Sequence, residues 1–108
     1  MVINRYVIAA GMAALFTAGA AVGANVEAGR EKARPCAACH GADGNSQSPD
    51  FPRLAGQYYD YLVKALTDYK SGARKNPIMA PQAANLTQRD MEDLATYFSG
   101  QQGLMEKR

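Results

Sequence analysis

A chain of 108 residues is long enough for one small domain and too short for two of ordinary size. Its twelve basic and ten acidic residues give a net charge of +2, and they are interspersed without a basic block, which argues against a nucleic-acid-binding protein. Both cysteines and the single histidine fall within five consecutive residues, 36–40. Such clustering indicates one local chemical site.

The first 24 residues differ from the rest of the chain. Arg5 provides a short positive start, an uncharged apolar run follows, and small residues lead up to Ala24. This pattern is typical of a secretory signal peptide and predicts cleavage after Ala24. Residues 25–108 would then form the mature domain, with eleven basic and ten acidic residues and a net charge of +1. The alternative is an uncleaved membrane anchor, because the uncharged stretch approaches the roughly 20 residues that a membrane helix needs.

Three stretches of the remaining chain have apolar side chains at the three- and four-residue spacing that predicts a helix. They cover residues 26–34, 57–71 and 87–99. Pro35 ends the first helix, and Gly72 is a normal stop for the second. No segment alternates as a strand would, so the predicted fold class is all-α.

The third helix has the clearest boundaries, because Thr87 is a good N-cap with Asp90 three positions on, and Gly100 follows the last turn. The apolar faces of the three helices consist of Val26, Gly29 and Ala33; of Tyr58, Tyr61, Leu62, Ala65, Leu66 and Tyr69; and of Met91, Leu94, Ala95 and Phe98, flanked by Tyr97.

Two loops rich in turn-forming residues, 41–56 and 72–85, connect these helices. They are longer than ordinary connections in a small domain. Loops of this length usually wrap a bound group, and a domain of 84 residues has only a modest core of its own.

Residues 36–40 read CAACH, and CxxCH is the attachment signature of a c-type haem. Two cysteines three positions apart on a helical turn reach the two vinyl groups on one porphyrin edge and form thioethers. The adjacent histidine then coordinates the iron. Cys36, Cys39 and His40 meet these requirements and predict one covalently bound haem c.

Three other interpretations of the cluster fit less well. A disulfide between Cys36 and Cys39 would close a very small loop and constrain the unfolded chain little. A thioredoxin-like redox centre requires a βαβ setting. A zinc site requires a fourth ligand, and the chain has no further cysteine or histidine.

The second axial ligand of a haem iron in an electron carrier is typically methionine or a second histidine. Since His40 is the only histidine, the ligand must be one of five methionines. Met79 is the best candidate, because it lies between two prolines on a loop without a helical pattern. Met1 and Met12 lie in the signal segment. Met91 lies on the apolar face of the third helix, and Met105 lies in the polar tail. The alternative is that Met79 only fills the pocket and leaves the iron five-coordinate.

The chain resembles the class I cytochromes c, and in detail one half of the two-haem periplasmic cytochromes c that feed terminal oxidases. The resemblance spans essentially all of residues 25–108. It is carried by CAACHGADGNS, then FPRLAGQ, then YLVKALTDYKSG, and finally MAPQAANLTQRDMEDLATYFSGQ. It implies a small cytochrome c fold of three to five helices with haem-wrapping loops.

The resemblance also assigns roles to individual residues. It makes Cys36 and Cys39 the thioether residues, His40 the proximal ligand and Met79 the distal ligand. It implies that the carbonyl oxygen of Pro52 accepts the His40 Nδ1 proton.

The same resemblance implies that Gly29 meets Tyr97 or Phe98 where the terminal helices cross. The sequence departs from the family in having Gln82 where a further methionine often follows the ligand, and it carries a single haem motif.

These features predict a periplasmic one-electron carrier rather than an enzyme. It would shuttle electrons between a quinol-oxidising complex or dehydrogenase and a terminal oxidase or reductase, through a transient interface at the haem edge. We expect a monomer that meets the membrane only through its partners or through an uncleaved anchor. Apolar loop residues are expected to bury the haem: Leu54, Ile78 and Leu86. Five basic residues either ring its edge or are ordinary solvated charges: Lys32, Arg34, Arg53, Arg74 and Lys75.

Two alternatives remain. A haem enzyme or gas sensor would have an open distal site, with Met79 not bound to iron. A haem subunit of a membrane-tethered complex would retain the signal segment.

Overall fold

The computed structural model describes residue 11 and residues 25–103. Apart from Gly11, the predicted signal peptide lies outside these residues, as does Met105, so cleavage after Ala24 stays a prediction. The described chain forms five α-helices: α1 (Val26–Lys32), α2 (Arg34–His40), α3 (Tyr59–Ser71), α4 (Met79–Ala83) and α5 (Gln88–Ser99). There is no strand in the described ranges, and the all-α prediction is confirmed. None of these five helices is long and apolar enough to cross a membrane.

The first predicted helix is in fact two helices. The Asn25 side chain caps the start of α1, accepting from the backbone N–H groups of Glu27 and Ala28 at 2.9 and 3.2 Å. Ala33 ends α1 and also precedes α2. Pro35 lies in the first turn of α2, where its missing N–H costs nothing, so it begins a helix as well as following one.

The longer helices lie close to their predicted positions. α5 begins with a capping box, since the Thr87 side chain accepts from the Asp90 backbone and the Asp90 side chain accepts from the Thr87 backbone. α3 ends at Gly72, whose φ of 84° is left-handed. The start of α3 was predicted less well. Tyr58 and Tyr61 were expected on its apolar face and are 72% and 51% exposed.

The prediction of a loop without helix at Met79 is wrong, because Met79 begins α4. The Asn76 Oδ1 atom accepts from the backbone N–H groups of Ile78 and Met79, both at 2.9 Å, and this turn starts the helix. Pro81 is accommodated because the early N–H groups of a helix need no intrahelical acceptor.

The core lies where α5 packs against α1 and α3. Its buried residues are Ala33, Leu62, Leu94, Ala95, Tyr97 and Phe98. The predicted contact of Gly29 is confirmed and is made with Tyr97: a Cβ built at Gly29 would lie 2.8 Å from the Tyr97 Cβ. Val26, which was expected on the same buried face, is 43% exposed. Helix α2 and the chain after it then extend from this frame and form one side of a cavity.

Candidate haem-binding site

Helix α2 carries the cysteine–histidine cluster. Cys36 and Cys39 are free thiols and are partly buried, and His40 is buried at the last position of the helix. Burial raises the pKa of the Cys36 thiol, and the proximity of Cys39 raises it further. Cys36 is therefore a protonated thiol at neutral pH, which is the starting form for a thioether.

The imidazole of His40 is oriented by the chain that follows α2. His40 Nδ1 lies 2.8 Å from the carbonyl oxygen of Pro52. A carbonyl can only accept, so Nδ1 carries a proton, and in the neutral imidazole the lone pair is then on Nε2. The ring of Phe51 contacts the imidazole edge-on, with centroids 6.4 Å apart. His40 is thus held by a hydrogen bond and a ring contact, and within the described chain its Nε2 has no hydrogen-bond partner.

A buried hydroxyl connects α2 to the loop that follows it. The Ser46 hydroxyl lies within hydrogen-bond distance of the carbonyl oxygens of Cys39 and Ser48, at 3.2 and 3.1 Å. The Tyr97 hydroxyl of α5 donates to the carbonyl oxygen of Ala42 at 2.7 Å. Neither anchor is predictable from the sequence, because a serine in a turn and a tyrosine on a helix have no pattern that reveals a distant carbonyl partner.

The cluster faces a cavity of about 410 Å³, within the range usual for small-molecule and cofactor sites. Its walls come from α2, the 50–57 segment, α3, the 76–82 segment and α5. The apolar part of the lining includes Leu54, Leu62, Ala65, Leu66, Ile78, Leu94, Ala95 and Phe98. Two cysteine thiols, an imidazole with a free nitrogen and an apolar wall are the features that a covalently attached haem requires.

Met79 lines the same cavity as Cys36, Cys39 and His40. Helices α2 and α4 do not contact each other, although residues of both line the cavity. Met79 and His40 therefore reach the cavity from two helices that do not pack against each other.

Only some of the other residues proposed from the sequence line the cavity. Leu54 and Ile78 line the cavity, although Ile78 is 57% exposed. Leu86 does not line it and instead packs against the core. Gln82, at the position where relatives often have methionine, is a lining residue.

The five basic residues expected around the haem edge do not act as one group. Arg53 and Arg74 line the cavity. Lys32 and Arg34 form ion pairs with Asp93 and Glu31, and neither lines the cavity. Lys75 is exposed and lies outside the lining.

Arg74 is fixed by two tyrosines of α3. Its guanidinium lies 4.7 Å from the centre of the Tyr69 ring and donates to the Tyr61 hydroxyl at 3.3 Å. Tyr61 and Tyr69 were read from the sequence only as part of an apolar face. Their eight-residue spacing on one face of a helix was the available signal for a shared partner.

Comparison with known protein families covers the same part of the chain. The family model of cytochrome c matches residues 26–101. The chain belongs to the cytochrome c family. Membership implies a covalently bound c-type haem, and the spacing of Cys36 and Cys39 fits one such group. It also sets aside the zinc and thioredoxin-like interpretations of the cluster.

Two similar proteins are themselves cytochromes c. Cytochrome c4 of Pseudomonas aeruginosa is 50% identical over 74 residues, which cover 68% of this chain and 37% of the relative. Cytochrome c-554(548) of Halomonas halodenitrificans is 40% identical over 78 residues, and the match covers 69% of this chain and 94% of the relative. The chain thus spans about two fifths of the length of the cytochromes c4 that it matches.

Solved structures give the same result. The reduced recombinant cytochrome c4 of Pseudomonas stutzeri superposes with a TM-score of 0.70 at 45% identity, covering 73% of this chain and 46% of that one. The cytochrome c4 of Acidithiobacillus ferrooxidans superposes with a TM-score of 0.68 at 37% identity, covering 72% and 50%. The resemblance to one half of a two-haem cytochrome, inferred from the sequence, is confirmed.

Proposed function

We propose that this cytochrome c is a one-electron carrier of the bacterial periplasm, with a His/Met-ligated haem. One observation carries the proposal: the Cys36, Cys39 and His40 set of α2 and Met79 of α4 line one apolar cavity, while the two helices do not touch. The bound haem supplies an iron that alternates between the ferrous and ferric states.

In this proposal each residue has one role. Cys36 and Cys39 hold the porphyrin edge through thioethers. His40 offers Nε2 to the iron, because Nδ1 is bonded to the Pro52 carbonyl at 2.8 Å. Met79 would offer its sulfur from α4, which lines the same cavity.

The surroundings of these ligands favour electron transfer over substrate chemistry. His40 is oriented by Pro52, and the backbone at Met79 is fixed by the Asn76 side chain. Ligands that are held in place need little rearrangement when the iron changes charge. The apolar lining also disfavours the more charged ferric state and so raises the reduction potential.

The proposed location and partners rest on the sequence and on the family resemblance. Export directed by residues 1–24, followed by their removal, would place the domain in the periplasm. Its donor would be a quinol-oxidising complex or dehydrogenase, and its acceptor a terminal oxidase or reductase. A carrier of this kind needs a small and short-lived interface near the haem edge, and we expect it to be a monomer in solution.

A second candidate is an electron-accepting subunit bound to a dehydrogenase. The names of two relatives favour it: the thiosulfate dehydrogenase electron acceptor of Stutzerimonas stutzeri, 50% identical over 64 residues, and the cytochrome subunit of sulfide dehydrogenase of Chlorobaculum tepidum, 40% identical over 63 residues. Such a subunit would co-purify with its dehydrogenase at constant stoichiometry, whereas a diffusible carrier would purify alone.

The deciding experiment compares optical spectra of three purified haem proteins: the natural chain, Met79→Ala, and Met91→Leu as a control. Met91 is buried in the core and its replacement conserves volume. We expect the weak sulfur-to-iron band of ferric haem in the natural chain and in Met91→Leu, and its loss together with carbon monoxide binding in Met79→Ala. If the natural chain lacks the band and binds carbon monoxide readily, the distal site is open, and a haem enzyme or gas sensor replaces the carrier.

A further inference from the structure

The backbone nitrogen of Asn25, at the start of the predicted mature domain, lies against a buried carboxylate. It donates to Asp93 Oδ1 at 2.8 Å, across 68 residues of sequence. The side chain of Asn25 is engaged separately, as the N-cap of α1. Asp93 therefore binds the main chain at the residue that a cleavage after Ala24 would make the first.

Asp93 belongs to a charged cluster between α1 and α5. Its side chain is 3% exposed, and its Oδ2 accepts from Lys32 Nζ at 2.6 Å. The same Lys32 nitrogen lies 2.9 Å from Asp90 Oδ1. Asp90 and Asp93 thus both pair with one ammonium group.

We propose that hydrolysis of the Ala24–Asn25 peptide bond creates an α-ammonium group at Asn25 that pairs with buried Asp93. The inference rests on the proposed export. Water, acting with a signal peptidase, would leave a carboxylate on Ala24 and an amine on Asn25, and the amine takes up a proton. The donor that Asp93 meets then changes from a neutral amide to a cation.

The position of the cleavage matters for this pairing. A positive charge next to the N-terminus of a helix is disfavoured by the helix dipole, so an ammonium group at Asn25 needs a compensating carboxylate. Asp93 provides it only if the chain begins at residue 25. One additional residue would restore a neutral amide at Asn25 and move the charge away from Asp93.

The pairing gives the stability of the protein a defined dependence on pH. An α-amino group has an ordinary pKa of about 7.7 to 8.0. A carboxylate partner raises the folded pKa, so the stabilisation is fully present below about pH 8 and is lost as the pH rises through the folded pKa.

The neighbouring charges stay constant over that range. The hydrogen bond to Asp93 raises the pKa of Lys32, and the Thr87 N–H lowers the pKa of Asp90. Burial opposes ionisation of Asp93, but the hydrogen bonds from Lys32 and the Asn25 backbone outweigh it and lower the pKa of Asp93. Arg89 of α5 lies close enough to help lower the pKa of Asp93, and burial raises the pKa of Tyr59 of α3, which stays neutral. Glu92 of α5 is a further charged group near Tyr59 and adds to the raised pKa of that tyrosine.

The test begins with the intact mass of the exported haem protein, which should correspond to a chain starting at Asn25. A second haem protein is then produced with one additional alanine before Asn25. We expect the unfolding equilibrium constant at pH 7 to be about five- to tenfold larger for the extended chain, since a charge-assisted hydrogen bond is stronger than a neutral one. This difference should vanish near pH 10.

The comparison is repeated in two backgrounds. Asp93→Asn should abolish the difference between the two chains, whereas Asp90→Asn should preserve it, because Asp90 does not touch Asn25. If Asp93→Asn fails to fold, the α-amine of the natural protein is dimethylated with ¹³C and titrated by NMR, where its pKa should exceed the ordinary range.

A mass that includes residues 1–24 overturns the proposal. So does a protein that starts at Asn25 but unfolds with the same free energy as the extended chain, or an α-amine with an ordinary pKa. Neither of these last results affects the haem spectrum, so the carrier function is tested independently.

Discussion

Gly29 and Tyr97 meet where α1 crosses α5, and the contact leaves no room for a side chain on Gly29. A Cβ built there would lie 2.8 Å from the Tyr97 Cβ and 2.1 Å from the backbone carbonyl oxygen of Asp93. The second neighbour is backbone and cannot rotate away. The close approach of the two terminal helices therefore depends on glycine at this position.

Gly29→Ala should force α1 away from α5. We expect a loss of about 1–3 kcal/mol in the free energy of unfolding, as is usual when extra volume is inserted into a packed contact. Denaturant unfolding of the haem protein measures it. Gly72→Ala is the matched control, because nothing lies within 4 Å of its Cβ. That control carries only the cost of a left-handed residue, about 1–2 kcal/mol. A Gly29→Ala protein as stable as the natural one would contradict the observed crossing.

Tyr97→Phe removes the hydroxyl that donates to the Ala42 carbonyl oxygen at 2.7 Å. The bond links α5 to the loop directly after the CxxCH motif. We expect a loss of about 1 kcal/mol, since the carbonyl is left without its side-chain donor. Tyr58→Phe is the control: Tyr58 is 72% exposed, and its hydroxyl has no hydrogen bond within residues 25–103. Equal stability of the two variants would show that the hydroxyl at residue 97 contributes nothing.

Asn76→Ala removes the acceptor of the Ile78 and Met79 N–H groups and should loosen the first turn of α4. If Met79 is the axial ligand, the variant should show a weaker sulfur-to-iron band, faster carbon monoxide binding and a lower reduction potential. Asn85→Ala serves as control, because Asn85 is exposed and its side chain has no hydrogen bond in the described chain. A change in stability without any spectral change would limit Asn76 to a structural role.

The features predicted well from the sequence are those with a local cause. The spacing of apolar residues located α3 and α5, and the Thr87–Asp90 pair located the start of α5. CxxCH identified the haem because the chemistry requires those residue types at that spacing.

What the sequence could not reveal depends on distant partners. Asp93 lies outside the apolar face predicted for the third helix, yet it is 2% exposed because Lys32 and the Asn25 backbone reach it from α1. α4 was missed because five residues with an internal proline have too little periodicity to detect. Its only local signal was Asn76, a good turn-starting residue.

Acid should weaken the start of α5. The hydrogen bond from the Thr87 N–H, followed by that from Lys32, lowers the pKa of Asp90. A carboxyl group with a lowered folded pKa stabilises the protein above its ordinary pKa, about 3.9, and the stabilisation is lost as the pH falls through the folded value.

Asp90→Asn should therefore cost about 1 kcal/mol at pH 7, the difference between a charge-assisted and a neutral hydrogen bond. The variant and the natural protein should converge in stability as the pH falls through the folded pKa of Asp90, because Asp90 is then protonated in both the folded and the unfolded natural chain. Urea unfolding between pH 2 and 7 measures both. Asp60→Asn is the control, because Asp60 is exposed and forms no ion pair or hydrogen bond through its side chain among the described residues. A difference between Asp90→Asn and the natural protein that stays constant down to pH 2 would show that the charge of Asp90 contributes nothing to the helix start.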